Sequence, residues 1–123
     1  MSDKIRRSQI LFLTSVPGPE APAWRPRADL YRTPSGWLVK LELAGVDPDD
    51  IRVSFCGGQL VVEGTRRDEL LVHGCQCHRL EIAYSRFERQ WQLPDVEDPA
   101  EIRTSFHQGM LIIEIISKTG EGR

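Results

Sequence analysis

An antiparallel β-sandwich is the fold class that this 123-residue sequence predicts, and two observations carry it. Short runs alternate apolar with polar residues, the period of a strand with one face on a core, and they recur along most of the chain. Turn signals separate them, Gly57-Gly58 and Gln108-Gly109 above all, and no helical period intervenes.

Residues 1–27 read as an N-terminal arm, ending in a stretch with Pro17, Pro19, Pro22 and Pro26 that cannot pack as helix or central strand. Within it Ile10, Leu11, Phe12, Leu13 and Val16 form an apolar cluster, too short to build its own core, so it must bury itself against something. A domain of residues 28–118 follows. In 37–43, Trp37, Val39, Leu41 and Leu43 share one parity, while Lys40 and Glu42 on the other are charged. The same period puts Ile51, Val53 and Phe55 on one face, then Leu60 and Val62 after the Gly57-Gly58 turn.

The residues between Arg67 and Ser85 are too many for a hairpin connection, so 66–84 is expected to be a structured excursion. Phe87, Arg89, Trp91 and Leu93 then share a parity on which only Arg89 is charged. A charge on a mostly buried face needs a partner, unless its stem carries it to water at a strand end. Residues 102–107 and 110–117 form a hairpin about Gln108-Gly109. Both parities of 110–116 are apolar apart from Glu114, which predicts a strand covered on both faces. Residues 119–123 remain as a short tail.

Composition narrows the function. A net charge of −2 and a pI near 5.9 leave no basic footprint for nucleic acid or an anionic membrane surface. The apolar run 10–13 falls short of the ~7 to 15 residues of a signal-peptide core, and nothing approaches a membrane span, so the cytoplasm is the expected location. Cys56, Cys75 and Cys77, an odd set without a secretory marker, are expected as reduced thiols, with Cys56 a small buried one at a strand end. His73, Cys75, Cys77 and His78 are residue types that zinc prefers, but cysteines two apart point to the same face of a strand, so no metal is expected. The sequence has no glycine-rich phosphate loop, nucleophile elbow or histidine-glutamate metal motif, and neither an enzyme nor a cofactor is expected.

The stretch LPDVEDPAEIRTSFHQGMLIIEIISK, residues 93–118, resembles the closing signature of the α-crystallin domain of small heat-shock proteins. Leucine-proline and an acidic loop lead to Ile102, Thr104 at the family's alanine, Phe106, Gln108-Gly109 at its asparagine-glycine, Met110-Leu111 and Lys118. Upstream, ADLYRTPSGWLVKLELAGVDPDDIRV is similar to the family's opening segment, and HRLEIAYSRFERQWQLP to its middle run, with Ser85 at a usual glycine. The resemblance implies an immunoglobulin-like sandwich and an ATP-independent holdase that keeps partly unfolded clients from aggregating. It also implies self-association as a homodimer, with higher assembly through the arm.

In bacterial and plant-type members the long loop carries a strand that pairs with the partner subunit's sheet. By that likeness Leu70, Leu71, Val72, Leu80, Glu81, Ile82 and Arg89 belong to the dimer interface, with Glu81 the candidate partner of Arg89 within or across subunits. The family's groove between the strands equivalent to 51–56 and 102–107 accepts apolar segments, which brings in Val53, Phe55, Thr104 and Phe106, each also a candidate for plain sandwich core. Ile10, Leu11, Phe12, Leu13 and Val16 would be the client-binding arm, or a terminal segment docked on its own domain. An isoleucine-x-isoleucine anchor is not found after Lys118, so a dimer or a modest assembly is expected rather than a large shell. The rival reading is a non-holdase interaction module resembling p23 and CS-domain co-chaperones, which generally lack the long loop and the arginine strand.

Overall fold

The computed structural model describes residues 24–68, 74–96, 98–99 and 101–118. Among the described residues seven strands form: β1 (Ala28–Thr33), β2 (Gly36–Glu42), β3 (Ile51–Cys56), β4 (Gln59–Thr65), β5 (Arg86–Gln92), β6 (Glu101–His107) and β7 (Met110–Ile116). A 3-10 turn, Pro48–Asp50, leads into β3, capped by the Asp47 side chain accepting from the Asp49 amide. The strands make two antiparallel sheets, β1-β2-β7-β6 and β3-β4-β5. This is the sandwich the alternation predicts.

Two tight turns set the registers. Gly57 and Gly58 (φ 59° and 80°) close β3 onto β4, and Gln108 and Gly109 (φ 53° and 79°) close β6 onto β7. Positive φ at both central residues is the twist-matched hairpin geometry, which glycine adopts without steric cost.

The alternation then delivers the core. Val39 and Leu41 of β2, Leu60 and Val62 of β4, Phe87 of β5, and Leu111, Ile113 and Ile115 of β7 are buried between the sheets, with Leu43, Val46, Leu93 and Val96 from the connections. Cross-strand partners share a face, so Val39 opposite Ile113 and Leu41 opposite Leu111 make one continuous inner row. Gly64 of β4 lies opposite Phe87 of β5. A Cβ there would collide with the Asp50 carbonyl oxygen and come within 2.8 Å of the Phe87 ring.

The expectation that β7 is covered on both faces is corrected. Leu111, Ile113 and Ile115 are buried, whereas Ile112, Glu114 and Ile116 on the outer face are only half-buried.

Residues 24–27, which the sequence assigned to the arm, pack against the sandwich. Trp24 makes a parallel bridge to Phe87, Pro26 is fully buried, and the Arg27 carbonyl accepts from the Glu42 amide at 3.0 Å. The segment thus crosses from the β5 flank of one sheet to the β1-β2 flank of the other. That leaves β3 and β6 together on the opposite flank.

Candidate functional site

β3 and β6 each end a sheet, paired on one side only among the described residues. Val53 lies opposite Val62 and Phe55 opposite Leu60, while Thr104 lies opposite Ile113 and Phe106 opposite Leu111. All four opposing residues are core, so all four candidate groove residues face the space between the sheets. Val53, Phe55 and Phe106 are half-buried against the core and Thr104 is exposed.

Two residues of the same rows were missed by sequence reading, Ile51 opposite Gly64 and Ile102 opposite Ile115. Ile102 remains 38% exposed, which makes it the most open apolar side chain of the groove. Parity with Val53 and Thr104 was the signal that could have found both. The arrangement offers apolar side chains between two sheet edges that still have backbone donors and acceptors, the requirements for seating an extended apolar segment.

The long loop leaves and returns at one point. The Arg66 amide donates to the Ser85 carbonyl at 2.9 Å, drawing the ends of β4 and β5 together. Leu80 and Ile82 are each 57% exposed, and among the described loop residues 74–85 no strand forms within the chain. Leu70, Leu71 and Val72 lie outside the described residues, as do Ile10, Leu11, Phe12, Leu13 and Val16. At the edge of the other sheet, β1 exposes Leu30 and Tyr31.

Arg89 faces inward as expected, opposite Val62, but its partner within the chain is not Glu81. Its Nη1 donates to the Pro26 carbonyl at 2.6 Å and its guanidinium lies 5.1 Å from the Trp91 ring centroid. Burial, reinforced by the positive charge of Arg25, holds its pKa below the ordinary arginine value. Glu81 is exposed and pairs with Arg79 at 3.6 Å. Within the described chain the hydrogen-bond partner of the Arg89 guanidinium is therefore a backbone carbonyl.

Arg66 was missed altogether. Its guanidinium carbon sits 3.6 Å from the Trp24 ring centroid, its Nε donates to the Ala83 carbonyl at 2.9 Å and its Nη1 to the Ala44 carbonyl at 3.0 Å. Residues so far apart in sequence have no local pattern that would have announced the contact.

Cys56 is exposed, which corrects the expectation of a buried thiol. It shares the outward parity of Arg52 and Ser54, and its position at the end of β3 gives it no cover. Cys75 and Cys77 are also exposed, and no group of three metal-ligating side chains occurs among the described residues. No helix among the described residues is long and apolar enough to cross a membrane.

Comparison with known proteins agrees with this architecture. The 22.0 kDa heat shock protein of Arabidopsis thaliana is 31% identical over 96 residues, 77% of this chain and 49% of that protein. The chain spans about half the length of such curated relatives. The crystal structure of hspA from Xanthomonas axonopodis matches with a TM-score of 0.68 and 29% identity, covering 80% of this chain and 98% of that one. A small heat-shock protein from Xylella fastidiosa, whose crystal structure reveals a distinct high order structure, matches with a TM-score of 0.66 and 34% identity, over 76% of this chain and 86% of that one. The Hsp20/alpha crystallin family matches residues 29–123, which takes in every strand but the first residue of β1. With the seven-stranded sandwich already in place, the conclusion is direct: the chain belongs to the Hsp20/alpha crystallin family.

Proposed function

We propose that the chain is an ATP-independent holdase that binds apolar segments of partly unfolded proteins and so suppresses their aggregation. Family membership suggests a chaperone role, and one observation supports this finer reading. The groove of Ile51, Val53, Phe55, Ile102, Thr104 and Phe106 is apolar apart from Thr104, incompletely buried and bounded by two sheet edges that are unpaired among the described residues. An extended client segment seated there gains roughly 25 cal/mol per Å² of apolar surface removed from water, in competition with client self-association. No bond is made or broken, so the proposal needs neither catalysis nor a cofactor.

The arm residues Ile10, Leu11, Phe12, Leu13 and Val16 are proposed as a second client contact and a route to assemblies above a dimer. The dimer itself is proposed to form through the long loop, because Leu80 and Ile82 on one chain and Leu30 and Tyr31 at the open edge of β1 on another are exposed apolar surfaces of the same kind. Leu70, Leu71 and Val72 would add to that contact, and Glu81 of one subunit would meet Arg89 of the other. The cytoplasm is the proposed location, with unfolded proteins and further copies of this chain as partners, and neither nucleic acid nor membrane.

The test is aggregation of a heat-labile client followed by light scattering without nucleotide, with the mass of the chain's own assembly measured in parallel. Suppression near equimolar ratio, weakened by Val53→Asp, is the expected result. Unchecked aggregation at a tenfold excess of the folded chain would favour the non-holdase interaction module instead.

A further inference from the structure

Trp24 and Arg66 meet where two otherwise separate parts of the chain are anchored. Trp24 is the first described residue and opens the segment 24–27 that packs on the sandwich. Its ring packs edge-on against Phe87, with centroids 5.3 Å apart and planes at 75°, while the Arg66 guanidinium lies 3.6 Å from the ring centroid. The same guanidinium holds the exit of the long loop through Ala83 and the β2-β3 connection through Ala44. Among the described residues no carboxylate pairs with it.

A guanidinium is planar and rigid, so its hydrogen-bonding fork and its stacking face are set by one orientation. The indole covers the guanidinium on one side, while its Nε and Nη1 reach the two carbonyls. Without the indole, hydration of the open face competes with both hydrogen bonds. In the other direction, a displaced Ala83 carbonyl frees the fork to turn, and Trp24 loses the cation against its ring.

We propose that Trp24 and Arg66 form a latch that makes seating of the N-terminal segment and anchoring of the long loop's exit one coupled event. The coupling is reciprocal, as any equilibrium linkage between two sites must be. It holds within a single chain, whether or not the loop exchanges between subunits. An arm drawn away at Trp24 thereby loosens residues 80–85, and a loop drawn away at Ala83 loosens residues 24–27.

Hydrogen exchange on the full chain, read by mass spectrometry, tests this in both directions. Trp24→Leu, which keeps apolar cover on Phe87 but removes the π face, is expected to speed exchange of the Arg66 amide, which donates to the Ser85 carbonyl at the loop's neck, about tenfold. Arg66→Lys, which keeps the charge but loses the planar fork, is expected to speed exchange of the Glu42 amide, which donates to the Arg27 carbonyl, as well as of the amide of residue 66 itself. The double variant is expected to add little to either single one. Unchanged exchange across 111–115 verifies that each variant is folded, and Trp24→Met, which also lacks a π face, replaces Trp24→Leu if it is not. The latch is overturned if each substitution loosens only its own side, or if the double variant's acceleration equals the product of the singles.

Discussion

Replacing Arg89 by alanine tests how the one inward-facing charge of β5 is held. The substitution removes the hydrogen bond from Nη1 to the Pro26 carbonyl, 2.6 Å long and charge-assisted, worth about 1.5 to 3 kcal/mol. It also removes the cation 5.1 Å from the Trp91 ring centroid, worth about 0.5 to 1 kcal/mol. Desolvation of the guanidinium and repulsion from Arg25 oppose these gains, and the substitution relieves both. Because the acceptor is a carbonyl, no carboxylate is stranded within the described chain, and the ~3 to 5 kcal/mol cost of breaking a buried ion pair does not apply. The balance is a loss of about 2 kcal/mol, or roughly 8 to 16 °C in unfolding midpoint for a domain of this size. Urea unfolding followed by tryptophan fluorescence at several protein concentrations measures it and separates folding from assembly. A loss under about 0.5 kcal/mol, the range of an ordinary surface substitution, would refute the assigned hydrogen bond. A loss above about 4 kcal/mol that shrinks when Glu81→Gln is already present would place the partner carboxylate on a second subunit.

Gly64→Ala forces a methyl onto the Asp50 carbonyl and the Phe87 ring, and is expected to cost about 3 kcal/mol or more, seen as a lowered thermal midpoint or loss of soluble protein. A midpoint equal to that of the parent would mean the β3-β4-β5 sheet moves aside more easily than close packing allows. Replacing residues 68–83 by a tight turn is expected to yield folded monomers by sedimentation, since the Arg66 to Ser85 hydrogen bond already closes the neck. A dimer that survives this change removes the loop from the interface. Deleting residues 1–23 leaves Trp24 and every described strand in place, so a folded domain is expected, with aggregation suppression reduced in the light-scattering assay by the arm's share of client contact. Full activity after that deletion would assign client binding to the groove alone.

Period-two alternation carried most of the fold, because a strand with one apolar face states its own orientation: Val39 and Leu41, and Leu60 and Val62, all reached the core. The same rule was silent wherever both faces look alike. In β7 the isoleucines on either parity are chemically equal, and only the register with β2 and β6 decides that Ile113 is buried and Ile112 is not. Cys56 misled for a related reason, as small size says nothing about parity at a strand end. For the groove, pairing was needed to show that Val53, Phe55, Thr104 and Phe106 face the same space and that Ile51 and Ile102 join them. Arg89 was legible as inward-facing, but its acceptor is a backbone carbonyl, and every residue has one. The stacking of Arg66 on Trp24 belongs wholly to tertiary structure.

The pinched neck at Arg66 and Ser85 divides the chain into two regimes of sequence constraint. Once the ends of β4 and β5 are tied, the loop beyond them enters the stability of the sandwich chiefly through its closure entropy, and each doubling of its length costs only about 0.6 kcal/mol. Insertions, deletions and changes of composition between Asp68 and the Ala83 anchor are therefore expected to be nearly neutral to folding, while the register of β4 against β5 admits no comparable freedom. Such a segment works as a cassette. It can diverge toward new contacts at the pace of a surface loop while the scaffold that presents it stays fixed.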